Sequence, residues 1–445
     1  MTLLPKMKRF TRREDGAITH LGIYLTAAAI CIGGLGLDLA NAMMVRTQLQ
    51  VAADAAAHAA LMAREKRTEA EAKMIGVAVG LANMPDSYGS IIEPDDIQFG
   101  SWDRATEVFT IDPGNDDAVM VDTRRIAERD NSVSMYFLKF IGMSQMDVVR
   151  QSVFETYLPG CFREGFVAES IVDVQSNNNY DKGFCIHSNT HVEVNNGNAF
   201  SDSVVVSMPD KRDLVMPTGG FTSNPGLEES LRDSAYRMRI LQRVNDIIAG
   251  VDNPSSDYFR DDYVDWDGVN PSTIKTTKLL KKDKISAATW VPGTIHTVEC
   301  NAPNQQVQVA ANEIIERGVL ITNCKIQFGA NSELHDVIMV NTNEAADSFG
   351  AAAGFTLGLN DGCKPGGGAQ LVTLGGMNFP SNLQVYGGQL IAVKTIDFAA
   401  RANGIEGVSM VSGDRIDGTS LMNMGFCGGE GMENNFEAEY FRMAI

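Results

Sequence analysis

Positive charge is scarce in this 445-residue sequence: 37 Lys and Arg stand against 56 Asp and Glu, for a net charge of −19 at pH 7. A surface of that sign repels phosphate backbones, which argues against a nucleic-acid partner. Tryptophan is rarer still, with three residues, and proline amounts to 14. Cysteine occurs seven times, never as CxxC and never clustered with histidine at zinc-ligand spacing, so no structural zinc site is expected. The strings of several common catalytic chemistries are missing too: there is no GxSxG elbow, no Walker A loop and no GxGxxG after a strand. Gly366-Gly367-Gly368 has no Lys-Ser or Lys-Thr behind it and reads as a loop. What is plentiful is apolar and turn-forming, with 44% hydrophobic residues and 42 glycines, a globular composition that turns often. At about 150 residues per domain, the length predicts about three units.

Charge is absent altogether from Gly16 to Leu37, a run of 22 residues rich in Ile and Leu. A helix of that length spans a hydrocarbon core of about 30 Å. Lys6, Lys8, Arg9, Arg12 and Arg13 precede it against only Glu14 and Asp15. The positive-inside tendency then puts residues 1–15 in the cytoplasm and everything after Asp38 outside. Ala40-Asn41-Ala42 offers a competing reading, a cleaved signal peptide, but the apolar run exceeds the usual h-region of about 7–15 residues. An uncleaved inner-membrane anchor is expected, bounded by Gly16 and by Leu37 and Asp38. Cys31 lies inside it, while Cys161, Cys185, Cys300, Cys324, Cys363 and Cys427 form an even set on the predicted outer side, where disulfides persist. Of the roughly 15 pairings open to six cysteines, closing local loops gives 161 with 185, 300 with 324 and 363 with 427.

From Asp38 the chain has no proline until Pro85 and is dense in Ala, Leu, Met and Glu, so one outer helix is expected over 38–85. Gln48, Gln50, Ala52, Ala53, Asp54, Ala56, Ala57 and Ala60 lie in a stretch of mainly small side chains, which permits close helix approach and reads as a packing interface for another membrane protein. Arg12-Arg13-Glu14-Asp15-Gly16, the apolar span ending Gly34-Leu35-Gly36-Leu37-Asp38, then Arg46-Thr47-Gln48-Leu49-Gln50 and Ala52-Ala53-Asp54-Ala55-Ala56, resemble the N-terminus of TadG-like Flp (tight adherence) pilus-assembly proteins. The resemblance extends over about 12–157 and implies partners among Tad/Flp pilus-assembly membrane proteins and pilin-like subunits. Leu21 stands five residues after Gly16, where cleaved prepilins carry Glu, so processing there is not expected. Nor is the metal-dependent adhesion module of some larger relatives.

Residues 86–157 alternate short apolar strands with turns and read as a small α+β domain, with Ser132–Gly142 as a helix on its sheet. From 158 to 445 the texture is mainly β: runs such as Val192-Glu193-Val194, Val337-Ile338-Met339-Val340 and Leu390-Ile391-Ala392 are separated by Asn, Ser and Gly. A parallel β-helix suits this pattern, with a β-sandwich as the alternative. Residues 209–290 read as a helical insertion containing a helix over Gly226–Ile248. Its acidic run around Asp257 to Asp267 lacks a terminal EF-hand Glu, since Thr276 stands there, and reads as a solvated loop. His187 and His191 are expected as surface residues of a polar turn. Adjacent Asp261 and Asp262 are the candidate carboxylate pair should the head act on polysaccharide. The expectation is a non-enzymatic, cofactor-free, membrane-anchored protein with a disulfide-stapled head, for which a surface glycan is a further candidate ligand.

Overall fold

The computed structural model describes residues 15–82, 84–418 and 420–445; of the expected basic tail 1–15, all but Asp15 lies outside them. The chain divides into two compact units, one running to Tyr157 and taking back Tyr440–Ile445, the other Leu158–Glu439. The last six residues therefore leave the head in which the sequence put them: Tyr440–Met443 pairs antiparallel with Val148–Tyr157.

In the first unit a single helix, α1, runs Asp15–Arg64. Its early turns expose Ile18, Leu21, Ile23, Leu25, Ile30, Ile32 and Leu35, a surface apolar on all sides. Further along, burial condenses onto one stripe, Ala42, Val45, Leu49, Ala52, Ala56 and Ala60, at the spacing that keeps side chains on one helix face. The helix ends at Arg64 and does not continue to Pro85. Thr68 starts a second helix, α2 (Glu69–Ala82), through a reciprocal cap: the Thr68 N–H donates to Glu71 Oε2 (3.1 Å) and the Glu71 N–H to Thr68 Oγ1 (3.4 Å). Helix α2 folds back on α1, with Gly76 over Ala60 and Gly80 over Ala56. Strands β1 (Ile97–Asp103), β2 (Val108–Ile111), β3 (Ala118–Arg125) and β4 (Val148–Tyr157) join the C-terminal strand in an antiparallel sheet ordered β2-β1-β3-β4-C-terminal. Phe99, Val119 and Val121 of this sheet close the core against Leu49 and Ala52. The helix expected over Ser132–Gly142 is absent; that segment holds a two-residue strand and one 3-10 turn, Leu138–Ile141, whose Phe140 and Ile141 face outward and so offer no stripe to bury.

The second unit is mainly β, built on one large sheet whose strands pair in parallel. Three columns of stacked residues supply its core. Leu320, Met339, Leu371, Leu390, Met410, Phe166, Ile186 and Val206 are successive partners in the first. Val307, Ile326, Phe349, Met377, Ile396, Ile416, Val172 and Val192 form the second. Ile315, Leu334, Leu357, Val385, Ile405, Met424, Tyr180 and Phe200 form the third. The chain enters this stack in its middle. Gly165–Ala168, Cys185–Ser188, Val205–Met208 and Leu231–Asp233 climb toward one end. The chain then returns to the other end at Thr276–Lys278 and climbs again until Ile396–Ser412 pairs with Gly165–Ala168.

The helix expected over Gly226–Ile248 is instead a turn (Leu227–Ser230), the strand Leu231–Asp233 and two short helices, Arg239–Gln242 and Val244–Gly250. Leu231 is taken up as the partner of Val206, which outweighs local helical spacing. The returning segment lies along the stack with Ile240, Ile247 and Tyr263 buried, and the Tyr263 hydroxyl donates to the Gly368 carbonyl (3.2 Å).

Candidate functional site

Where α1 loses its all-round apolar surface, Gly34 and Asp38 are buried one turn apart on the same face. Asp38 Oδ1 accepts the Tyr136 N–H (2.6 Å), and Oδ2 accepts those of Phe137 (2.8 Å) and Leu138 (2.6 Å). The carboxylate thus works as a cap for a segment about a hundred residues downstream. Burial pushes its pKa up, but the three N–H donors, with Lys139 nearby, more than offset this and hold it below the ordinary carboxylate range. Phe137 lies against Gly34, where any Cβ would clash with its ring. Leu37, Ala40, Met44, Tyr136 and Phe140 line an open apolar groove of about 710 Å³ beside this bracket.

The small-residue stretch is occupied by its own chain. Ala52, Ala53, Ala56, Ala57 and Ala60 are fully buried within the first unit. Gln48 Oε1 accepts from the Tyr88 hydroxyl (2.6 Å), and Gln50 donates to Asp54 Oδ1 (2.9 Å) and to the Gln151 carbonyl (3.1 Å). These side chains build a helix-packing surface, but toward α2 and the sheet, which corrects their reading as a contact for a second protein. Disulfides join Cys161–Cys185, Cys300–Cys324 and Cys363–Cys427, with Cα separations of 4.8, 5.2 and 5.6 Å, while Cys31 is free and exposed.

In the head, His187 is buried rather than superficial, its ring nitrogens meeting Ser207 Oγ (2.8 Å) and Asn189 Oδ1 (3.0 Å), whereas His191 meets Glu193 (3.1 Å). Asp261 accepts the Trp266 indole N–H (2.8 Å) from within a 3-10 turn that also holds Asp262. Two groupings lay outside the sequence expectation. Glu164 is buried and accepts the N–H groups of Cys427 (2.7 Å) and Gly428 (3.0 Å); burial raises its pKa to about 7 against those donors. Asp397, Asp417, Asp173 and Glu193 stand in register on successive strands of the second column, with Arg415 bonded to Asp173 and Asp417. Burial and then the Asp417 charge raise both Asp173 and Asp397. Only spacing along the folded stack brings these acids together. Although a metal-dependent adhesion module is not expected, Asp130-Asn131-Ser132-Val133-Ser134 has the acidic-x-Ser-x-Ser spacing of such a site. Here Asp130 ends a 3-10 turn, the Asn131 amide donates to the Ser90 and Arg124 carbonyls (both 3.1 Å), and Ser132 donates to Asp147 (2.8 Å), so the string serves as a structural corner.

A family model described as "Domain of unknown function (DUF7867)" matches residues 165–428, and one described as "Putative Flp pilus-assembly TadE/G-like" matches residues 16–65. The TadE/G-like resemblance thus holds for α1. Comparison with curated proteins and with solved structures finds no match.

Proposed function

The chain belongs to the DUF7867 family, and from that premise we propose that it is a non-enzymatic assembly component or minor pilin-like subunit of a Flp/Tad pilus system, anchored in the inner membrane and carrying an extracytoplasmic head. The observation that carries this reading is the joining of a TadE/G-like helix, apolar enough to cross a membrane, to a disulfide-stapled β unit in one chain. The helix serves as the anchor and the basic residues ahead of it keep the N-terminus in the cytoplasm. The head is read as a parallel β-helix, supported by its three in-register columns. Its partners are other Tad/Flp membrane proteins and pilin-like subunits, reached through exposed surface, since the alanine stripe is already covered. Intact-mass analysis of the unreduced protein from inner-membrane and sheared-surface fractions tests this. A full-length, disulfide-bonded chain in the membrane supports an anchored assembly factor, and a chain starting near Ala17 in sheared fibres supports the pilin-like arm. A chain starting at Met43 would sink the anchor.

A glycan-binding or polysaccharide-active head is the second reading, favoured by the Asp397, Asp417, Asp173 and Glu193 column. Strand spacing of about 4.8 Å gives nearest and next-nearest carboxylates near the separations of about 5–5.5 and 6.5–9.5 Å used by glycosidases. Oligosaccharide release that disappears in Asp173→Asn would establish it; binding without turnover would favour an adhesin.

A further inference from the structure

We infer that residues 136–143 form a second membrane contact, in which Phe140, Ile141 and Met143 enter the outer-facing edge of the bilayer that α1 crosses. The inference rests on reading 16–37 as the membrane span and adds a lipid-facing loop to it. Phe137 touches Gly34, which lies three residues, or about 4.5 Å along the axis, inside the Leu37 end of the apolar run. The loop is thereby held at the depth of the last turn of the span. At that level the chain exposes a cluster of large apolar side chains, Phe140 at 78%, Ile141 at 74% and Met143 at 52%, continuous with the bare apolar surface of α1. A bilayer accepts such a loop only if its backbone donors are satisfied internally. Asp38 takes three of them, and the N–H groups of Phe140, Gly142 and Met143 close onto the carbonyls of Phe137 (3.0 Å), Lys139 (3.2 Å) and Leu138 (3.1 Å). The two neighbouring polar side chains suit the interface: Tyr136 is an amphipathic aromatic of the kind found at headgroup level, and exposed Lys139 is long enough to reach the headgroups. Acyl chains of the adjoining leaflet are therefore the occupant that the surface fits.

The test uses the full-length, oxidised protein in vesicles of phosphatidylcholine and phosphatidylglycerol, carrying an environment-sensitive thiol probe. Native Cys31 reports on the span; in a Cys31→Ala background, Phe140→Cys and Ile141→Cys report on the loop and Ile111→Cys on exposed strand β2. Probes at 140 and 141 should be quenched by nitroxides carried shallowly on acyl chains and protected from aqueous iodide, while the probe at 111 shows the reverse. F140W, which keeps an aromatic ring, should show the same through brominated-lipid quenching of its added indole emission. If Cys31 is lipid-protected while 140 and 141 are as open to iodide as 111, the loop inference is overturned and the anchor stands. If the Cys31 probe is itself open to iodide, both fall. Shielding of 140 and 141 from both quenchers would mean a protein neighbour and would also overturn the inference.

Discussion

Two carboxylates carry opposite burdens. Asp38 is held below its ordinary value of 3.8 by N–H donors, so its stabilising contribution is complete above that value and is lost as pH falls through the lower folded pKa. Asp38→Asn leaves one acceptor oxygen for three donors. Hydrogen exchange at Tyr136, Phe137 and Leu138 should accelerate in that variant, while wild type shows the same loosening only in acid; unchanged protection would remove Asp38 from the role. Glu164 runs the other way. Its folded pKa of about 7 lies above the ordinary 4.5, so the folded head binds the proton more tightly, and this stability is full below about 4.5 and lost as pH rises through 7. Glu164→Gln keeps an acceptor and cannot ionise. Melting at pH 5 and pH 8 should show the wild-type head losing up to roughly 3 kcal/mol more across that window than the variant does.

At the level of elements, the close approach of α1 and α2 depends on small residues. A Cβ at Gly76 would meet Ile97 Cδ1 at 2.8 Å and the Ala56 carbonyl at 3.1 Å, and Ala56 itself is fully buried. Gly76→Val and Ala56→Leu should each cost about 1–3 kcal/mol by overpacking in urea titrations of the first unit. Recovery of pilus-assembly partners should then fall only in proportion to the folded fraction. The Cys300–Cys324 bond closes a loop of sequence separation 24, and replacing both residues by Ala should cost about 3.5 kcal/mol on chain-entropy grounds; an unchanged denaturation midpoint would count against that staple. The turn between α1 and α2 left a signal that the expectation of one helix over 38–85 did not use: Thr68 and Glu71 spell a capping box after a charged run. The strand repeat was not legible. Gly165, Cys185 and Val205 are in register at a spacing of 20, and Asn178 and Asn198 repeat it at a corner where each side-chain oxygen accepts a backbone N–H from the neighbouring strand layer. The intervening side chains vary so freely that the period hides in the string.

For the whole molecule, the decisive contact is the one that joins two ascending series of parallel strands into a single sheet. Met410, partnered by Leu390 below and Phe166 above, lies fully buried at that junction. Met410→Asp places a charge there, and each series keeps its own apolar columns, so calorimetry of the head should resolve two transitions in place of one. A single transition at lower temperature would show that the returning segment, rather than the junction, couples the halves. From the sequence alone came the apolar span, the mainly-β texture of the head and the cysteine pairs, because each depends on composition or on loops closed over short distances. Tertiary structure decided the rest: that the alanine stripe serves α2, that Asp38 caps residues 136–138, that the last strand returns to the first unit and that the stack begins in its middle. Backbone hydrogen bonds between strands are indifferent to side-chain identity, so many strand orders satisfy the same alternation, and only the closing of a continuous core selects one.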